Sequence, residues 1–201
     1  MIVLVGFMGA GKTTVGHLLA ERHGLPFTDS DQVIEQRTGR PVRQIFAEDG
    51  EPAFRALEHQ VIASLLDGPD LVLALGGGAP EHPGTRDRLA TVQVVYLQVG
   101  YDQALARVGG DPDRPLLARP DLAATYQRRL SLYAGIATLT VSTDGRHPET
   151  VSQDILARLS SPNPPSGAGR RTVRPGRSPF PPFIGPNGAW CVPPDTLLAC
   201  G

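Results

Sequence analysis

The stretch Gly6 to Thr14, GFMGAGKTT, holds the residue types that grip a phosphate chain. Four variable residues separate Gly6 from Gly11, and Lys12 and Thr13 follow at once. That is the pattern of a phosphate-binding loop when a strand precedes it and a helix follows. Glycines let backbone N–H groups approach phosphate oxygens. Gly9, Ala10, Gly11, Lys12, Thr13 and Thr14 are the expected triphosphate contacts. The Lys12 ammonium suits the β and γ phosphates and the Thr13 hydroxyl suits Mg²⁺. The helix start adds its partial positive charge. Of the 19 lysine and arginine residues, Lys12 is the only lysine. A compact ammonium is what a phosphate loop uses, whereas arginine is a planar fork. The loop implies a nucleoside triphosphate and leaves open what is done with it.

Three further stretches carry acceptor chemistry. FTDSDQVIE puts Asp29 and Asp31 at the end of an expected strand, their side chains leaning the same way. Ligands of an open α/β sheet gather at that edge. One carboxylate can hold a metal-bound water while the other meets a hydroxyl, although helix-capping acids have the same look. AFRALE places Arg55 and Glu58 three apart on one helix face, which alone reads equally as a surface ion pair. VLALGGGAP runs an apolar strand into Gly76, Gly77 and Gly78, where many nucleotide-binding proteins place an acid. Alone, it reads equally as a flexible exit from a strand.

The elements that must position these residues alternate along residues 1–160. Strands are expected at Ile2–Val5, Pro26–Thr28, Leu71–Leu75, Val92–Leu97 and Thr138–Ser142. Helices are expected near 12–23, 31–37, 42–48, 51–66, 83–90, 101–108, 121–134 and 148–159. Strands separated by helices imply parallel pairing, and runs such as IVLV, apolar throughout, imply a sheet covered on both faces. A formal net charge of −1 argues against nucleic acid and against a membrane surface as partners. No apolar run approaches the roughly 20 residues of a membrane span, and MIVLVGF has no signal-peptide character. A cytoplasmic location is expected. Residues 161–201 hold ten prolines and six glycines without periodicity, the composition of a disordered tail. Both cysteines, Cys191 and Cys200, fall in that tail and read as incidental thiols.

The order of the phosphate loop, DSD, FRALE, LGGGA, DRPLL and RLSLY resembles the shikimate kinases over about residues 1–160. The resemblance implies a three-layer α/β P-loop kinase fold with a central five-stranded parallel sheet, order 2-3-1-4-5. It implies transfer of the γ-phosphate of ATP to the 3-hydroxyl of shikimate, in aromatic amino-acid (chorismate) biosynthesis, with Mg²⁺ as cofactor. A monomer is expected, with ATP and shikimate as its partners. Thr13 and Asp29 would serve the metal. Asp31 would bind the acceptor hydroxyl and take its proton. Arg55 and Arg129 would clamp the shikimate carboxylate over a floor made by Gly76, Gly77 and Gly78. A lid at about 109–120 would bring Arg114 to the transferring phosphate, making Lys12, Asp31 and Arg114 the catalytic set. Arg107, Arg146 and Pro148 would lie on the adenine side.

Three features depart from the family. The segment before Arg129 is about one helical turn short, which makes Arg128 a competitor. Ser131 stands where proline is common, and the tail is foreign to the family. A gluconate kinase would share the phosphate loop without needing Arg55, Gly77 and Arg129. A nucleotide-gated binding module would need no acceptor pocket.

Overall fold

Ile2–Val5 forms β1, and all four residues are buried. Val3 and Leu4 are both fully buried although successive strand residues point to opposite faces, so both faces of the sheet are covered. The computed structural model describes residues 1–109 and 121–160, together with the backbone of two short strands at 183–184 and 190–191. Phe27–Asp29 (β2), Val72–Ala74 (β3), Gln93–Gln98 (β4) and Leu139–Ser142 (β5) complete the sheet in the order β2-β3-β1-β4-β5. Every pairing is parallel, with Ile2 opposite both Val72 and Gln93.

The connections are Lys12–His23 (α1), Ser30–Thr38 (α2), Val42–Glu48 (α3), Gly50–Leu66 (α4), Pro83–Leu89 (α5), Tyr101–Val108 (α6), Leu122–Ile136 (α7) and Pro148–Leu159 (α8). Loops leaving the carboxyl ends of β2, β3 and β1 therefore emerge side by side. They are the loops that carry DSD, the glycine triplet and the phosphate loop.

A main core lies against the sheet. A second cluster, Ile34, Ile45, Phe54 and Val61, binds α2, α3 and α4 together. It fixes α4, whose inner side carries Arg55 and Glu58. Truncating a buried phenylalanine such as Phe54 costs about 3–5 kcal/mol, so this small cluster matters to the site's geometry.

Three local outcomes differ from the sequence expectations. The strand ends at Asp29, and Asp31 belongs to the first turn of α2. The two acids therefore do not lean together from one strand. The helix begins as soon as the Asp29 side chain accepts the Asp31 N–H, at 3.0 Å. A 3-10 turn, Ala79–Glu81, follows the triplet, with Pro80 near its start where a missing N–H is harmless. The chain divides into two units, Met1–Pro164 and Pro165–Gly201. In the second, Phe183–Ile184 (β6) pairs antiparallel with Trp190–Cys191 (β7), where no element was expected. The lid expected at about 109–120 lies outside the described residues beyond Gly109, with Arg114, as do the rest of residues 161–201, with Cys200.

Candidate active site

The phosphate loop closes tightly against the sheet and α6. Gly9 has φ 73°, and a Cβ there would stand 2.7 Å from the Ala104 carbonyl oxygen. Only glycine meets both conditions. Gly11 caps α1, whose first turn holds no acidic residue, so the partial positive charge of the helix start faces the loop uncompensated by a carboxylate of that turn. Lys12 Nζ donates to the carbonyl oxygens of Gly6 and Phe7, at 2.9 and 3.3 Å. Thr13 and Thr14 are exposed on the first turn.

A pocket of about 210 Å³ flanks the loop and is lined by Gly9, Ala10, Thr14, Arg107, Arg146 and Pro148, among others. Arg107 braces its mouth. Its Nη1 donates to Gly9 O at 3.0 Å and to Thr143 Oγ1 at 3.1 Å, and its Nη2 donates to Thr143 O at 2.6 Å. Arg146 is held by Asp154 at 3.0 Å and by Ser142 O at 3.1 Å, and Pro148 opens α8. The three residues expected on the adenine side thus share one pocket.

A larger cleft of about 1220 Å³ joins Lys12, Thr13, Asp29 and Asp31 to Arg55, the glycine triplet and Arg129. The triplet is its floor. Cβ atoms on Gly76 would come within 2.6 Å of both Asp31 Oδ1 and Glu58 Oε1. A Cβ on Gly78 would overlap the Arg55 guanidinium. A side chain at Gly76 or Gly78 would therefore push these carboxylates or the guanidinium out of place, and the floor is tied rather than loose. Gly76 N donates to Ser30 Oγ at 3.0 Å, Ala79 N to Gly76 O at 3.0 Å, and Tyr133 OH to Gly77 O at 2.6 Å.

Electrostatics set the acids apart from ordinary carboxylates. Burial, helped by Asp29, pushes Asp31 up to about 6 against the pull of Lys12 and Arg55. Burial also pushes Glu58 up to about 7, with Arg55 opposing and Asp31 adding to the rise. Among the described residues, Asp31 Oδ1 and Glu58 Oε1 are buried without a hydrogen-bond partner. Arg55 donates to Glu58 at 2.7 Å and to Glu51 at 3.1 Å, and packs over Phe46 and Phe54. With Glu58 at 1% side-chain exposure, this is no surface ion pair.

Helix α7 separates the two competing arginines. Tyr126 OH donates to Val99 O at 2.9 Å and Tyr133 OH to the triplet, anchoring one face of the helix at two points. Arg129 lies on that face and is buried, whereas the Arg128 side chain is 58% exposed and does not line the cleft. Sequence reasoning missed Ser30, whose hydroxyl is invisible between two acids, and Glu81, which contacts both arginines across a separation of 47 and 48 residues. Among the described residues no cluster of three His, Cys, Asp or Glu side chains is placed to hold a metal by itself.

A nucleotide loop, an adjoining pocket and a side-chain-free floor between two guanidiniums define a P-loop phosphotransferase acting on a small anionic acceptor. A family model described as shikimate kinase matches residues 8–160. The shikimate kinase of Mycobacterium tuberculosis (strain ATCC 25177 / H37Ra) is 46% identical over 170 residues, which cover 83% of this chain and 97% of that protein. That of Thermobifida fusca (strain YX) is 49% identical over 162 residues, 79% of this chain and 94% of the relative. The structure of shikimate kinase from Acinetobacter baumannii in complex with shikimate matches with a TM-score of 0.74 at 39% identity, over 79% of this chain and 91% of that one. The chain belongs to the shikimate kinase family, and its reaction is the ATP-dependent phosphorylation of shikimate in aromatic amino-acid biosynthesis.

Proposed function

We propose that this chain carries the γ-phosphoryl group of ATP to the 3-hydroxyl of shikimate, with Mg²⁺, in the cytoplasm. The observation that carries the residue assignments is the convergence of Asp31, Arg55 and Arg129 on the Gly76–Gly78 floor, in the cleft that also holds Lys12. Arg55 and Arg129 fork the substrate carboxylate bidentately and discriminate against neutral analogues. The bare floor lets a flat ring with several hydroxyls lie against backbone. Asp31 meets the reacting hydroxyl and takes its proton as the oxygen–phosphorus bond forms. A carboxylate near 6 is mostly ionised at neutral pH yet basic enough to share that proton.

Lys12 exchanges the Gly6 and Phe7 carbonyls for phosphate oxygens, with Gly9, Ala10, Gly11, Thr13 and Thr14 around it. Arg107, Arg146 and Pro148 border the base. Arg114 is assigned to the transferring phosphoryl group, a role worth roughly 10³–10⁵ in rate. The Thr13 hydroxyl and Asp29 carboxylate are oxygen donors on one cleft and fit a hard cation that keeps part of its water shell. When bound, Mg²⁺ neutralises charge on the β and γ phosphates. Nothing in a net charge of −1 favours nucleic acid as a partner.

The assignment of the two aspartates is tested by asparagine. Asparagine caps helices as well as aspartate does, so Asp29→Asn leaves α2 intact. It should raise the Mg²⁺ concentration for half-maximal rate and leave the KM for shikimate nearly unchanged. Asp31→Asn should weaken shikimate binding and lower kcat at saturating Mg²⁺. Rescue of Asp31→Asn by excess Mg²⁺, with loss of shikimate affinity in Asp29→Asn, would show the roles reversed.

A further inference from the structure

Glu81 ends the 3-10 turn that follows the glycine floor, and its backbone is fixed from two sides. Its N–H donates to Gly78 O at 2.9 Å. Arg86 Nη1 donates to Glu81 O at 3.0 Å and to Pro80 O at 2.7 Å. From this anchored point the carboxylate reaches three guanidiniums. Oε1 accepts from Arg129 Nε at 3.0 Å and from Arg128 Nη2 at 3.2 Å, while Oε2 lies 3.9 Å from Arg55 Nε.

Glu81 bonds Arg129 at its Nε edge and faces the Nε edge of Arg55, which is buried without a hydrogen-bond partner among the described residues. A guanidinium presents five N–H donors in a rigid fork, so an acid on the Nε edge leaves Nη donors for another acid. Arg129 Nη1 lies over the floor, 3.5 Å from where a Cβ on Gly77 would stand. Arg55 spends one bond from each Nη, on Glu58 and Glu51, and each Nη carries a second N–H. Glu81 is thus the acid that α4, α7 and the turn after the floor have in common.

We infer that Glu81 is a positioning residue for the substrate carboxylate: by bonding the Nε edge of Arg129, and by drawing Arg55 through charge alone across 3.9 Å, it fixes the spacing and tilt of the two forks. The inference rests on the reading of Arg55 and Arg129 as carboxylate clamps. Held this way, the forks need no reorganisation when the acid arrives, which is where preorganised sites gain affinity. A side chain that acts only through carboxylate recognition has a distinct signature. Its loss should be felt by the acid and not by a substrate in which that acid has been made neutral.

The experiment measures steady-state ADP release by the full chain with shikimate and with its carboxamide, for wild type, Glu81→Gln, Glu81→Ala, Glu81→Asp and Arg129→Ala. Glu81→Gln keeps the size and an acceptor oxygen and guards against misfolding of the alanine variant, with thermal melting as the check. The expected result is a rise of about tenfold in KM for shikimate in Glu81→Ala, the loss of one charge-assisted bond, with kcat and the KM for ATP within twofold of wild type. Glu81→Gln and Glu81→Asp should fall between, and kcat/KM for the carboxamide should not change. A lower KM for shikimate would mean that Glu81 competes with the substrate for the arginines, and equal losses on acid and carboxamide would mean a structural role; either overturns the inference. If Arg129→Ala raises the KM for shikimate while the Glu81 variants do not, this inference alone fails. If Arg129→Ala has no effect, the clamp reading fails and takes this one with it.

Discussion

Replacing Gly78 by alanine should disable the proposed Arg55 clamp while sparing the nucleotide side. The new methyl group would overlap Nη2 and Cζ of Arg55 and come within 2.6 Å of Nη1. The floor cannot yield easily, because Gly78 O accepts the Glu81 N–H and Ala79 N is bonded to Gly76 O. The flexible arginine head must move instead, breaking its bonds to Glu58 and Glu51. Losing a hydrogen bond to a charged partner costs about 1.5–3 kcal/mol, or about 10- to 150-fold in shikimate KM. Leaving buried Glu58 without its cation should also lower stability, since breaking a buried pair costs up to about 3–5 kcal/mol.

Gly77→Ala is the control. Its Cβ would meet nothing closer than 3.5 Å, so the folded protein accommodates it, yet the methyl would stand 3.5 Å from Nη1 of Arg129, the other proposed clamp. Both variants should raise shikimate KM in a coupled ADP-release assay at saturating ATP, and only Gly78→Ala should lower the melting temperature. A Gly78→Ala protein whose shikimate KM stays within twofold of wild type, or whose ATP affinity falls as far as its shikimate affinity, would refute this reasoning.

Arg129→Ala should weaken shikimate binding by a comparable factor, whereas the exposed Arg128→Ala should change it no more than about threefold, as its ion pair is largely solvated; steady-state titration that finds Arg128 the damaging site would reverse the assignment. Glu58 makes stability depend on pH. Its folded-state value of about 7 exceeds the ordinary 4.5, so its contribution is full below about 4.5 and is lost as pH rises through 7. Relative to Glu58→Gln, wild type should lose about 3 kcal/mol between pH 4 and pH 8 by urea unfolding, and a flat difference would contradict the burial argument.

The phosphate loop was legible because it is local: strand, glycines, lysine and helix start fall within one short stretch, and each residue type has its own physical reason. The helices and strands were legible to within a residue or two at most boundaries because apolar spacing marks them. Asp29 showed why spacing alone underdetermines a role: it caps α2 and also lines the cleft. Arg55 and Glu58 left open a surface pair, because their burial depends on how Ile34, Ile45, Phe54 and Val61 seat α4. Arg128 and Arg129 could not be ranked until Tyr126 and Tyr133 fixed the rotation of α7. Glu81 and the Ser30 bond to Gly76 carry no local signal, since each exists only when distant segments meet. The ribbon of β6 and β7 has two residues per strand, too few to show a period.

The most direct measurement is phosphorus NMR of the product after the full chain has been incubated with ATP, Mg²⁺ and shikimate, beside a matched reaction with gluconate. The predicted result is one new phosphomonoester signal coupled to the proton at carbon 3 of shikimate, dependent on Mg²⁺ and absent with gluconate. A phosphoryl group on another hydroxyl, equal turnover of gluconate, or ADP release that does not depend on shikimate would contradict the account.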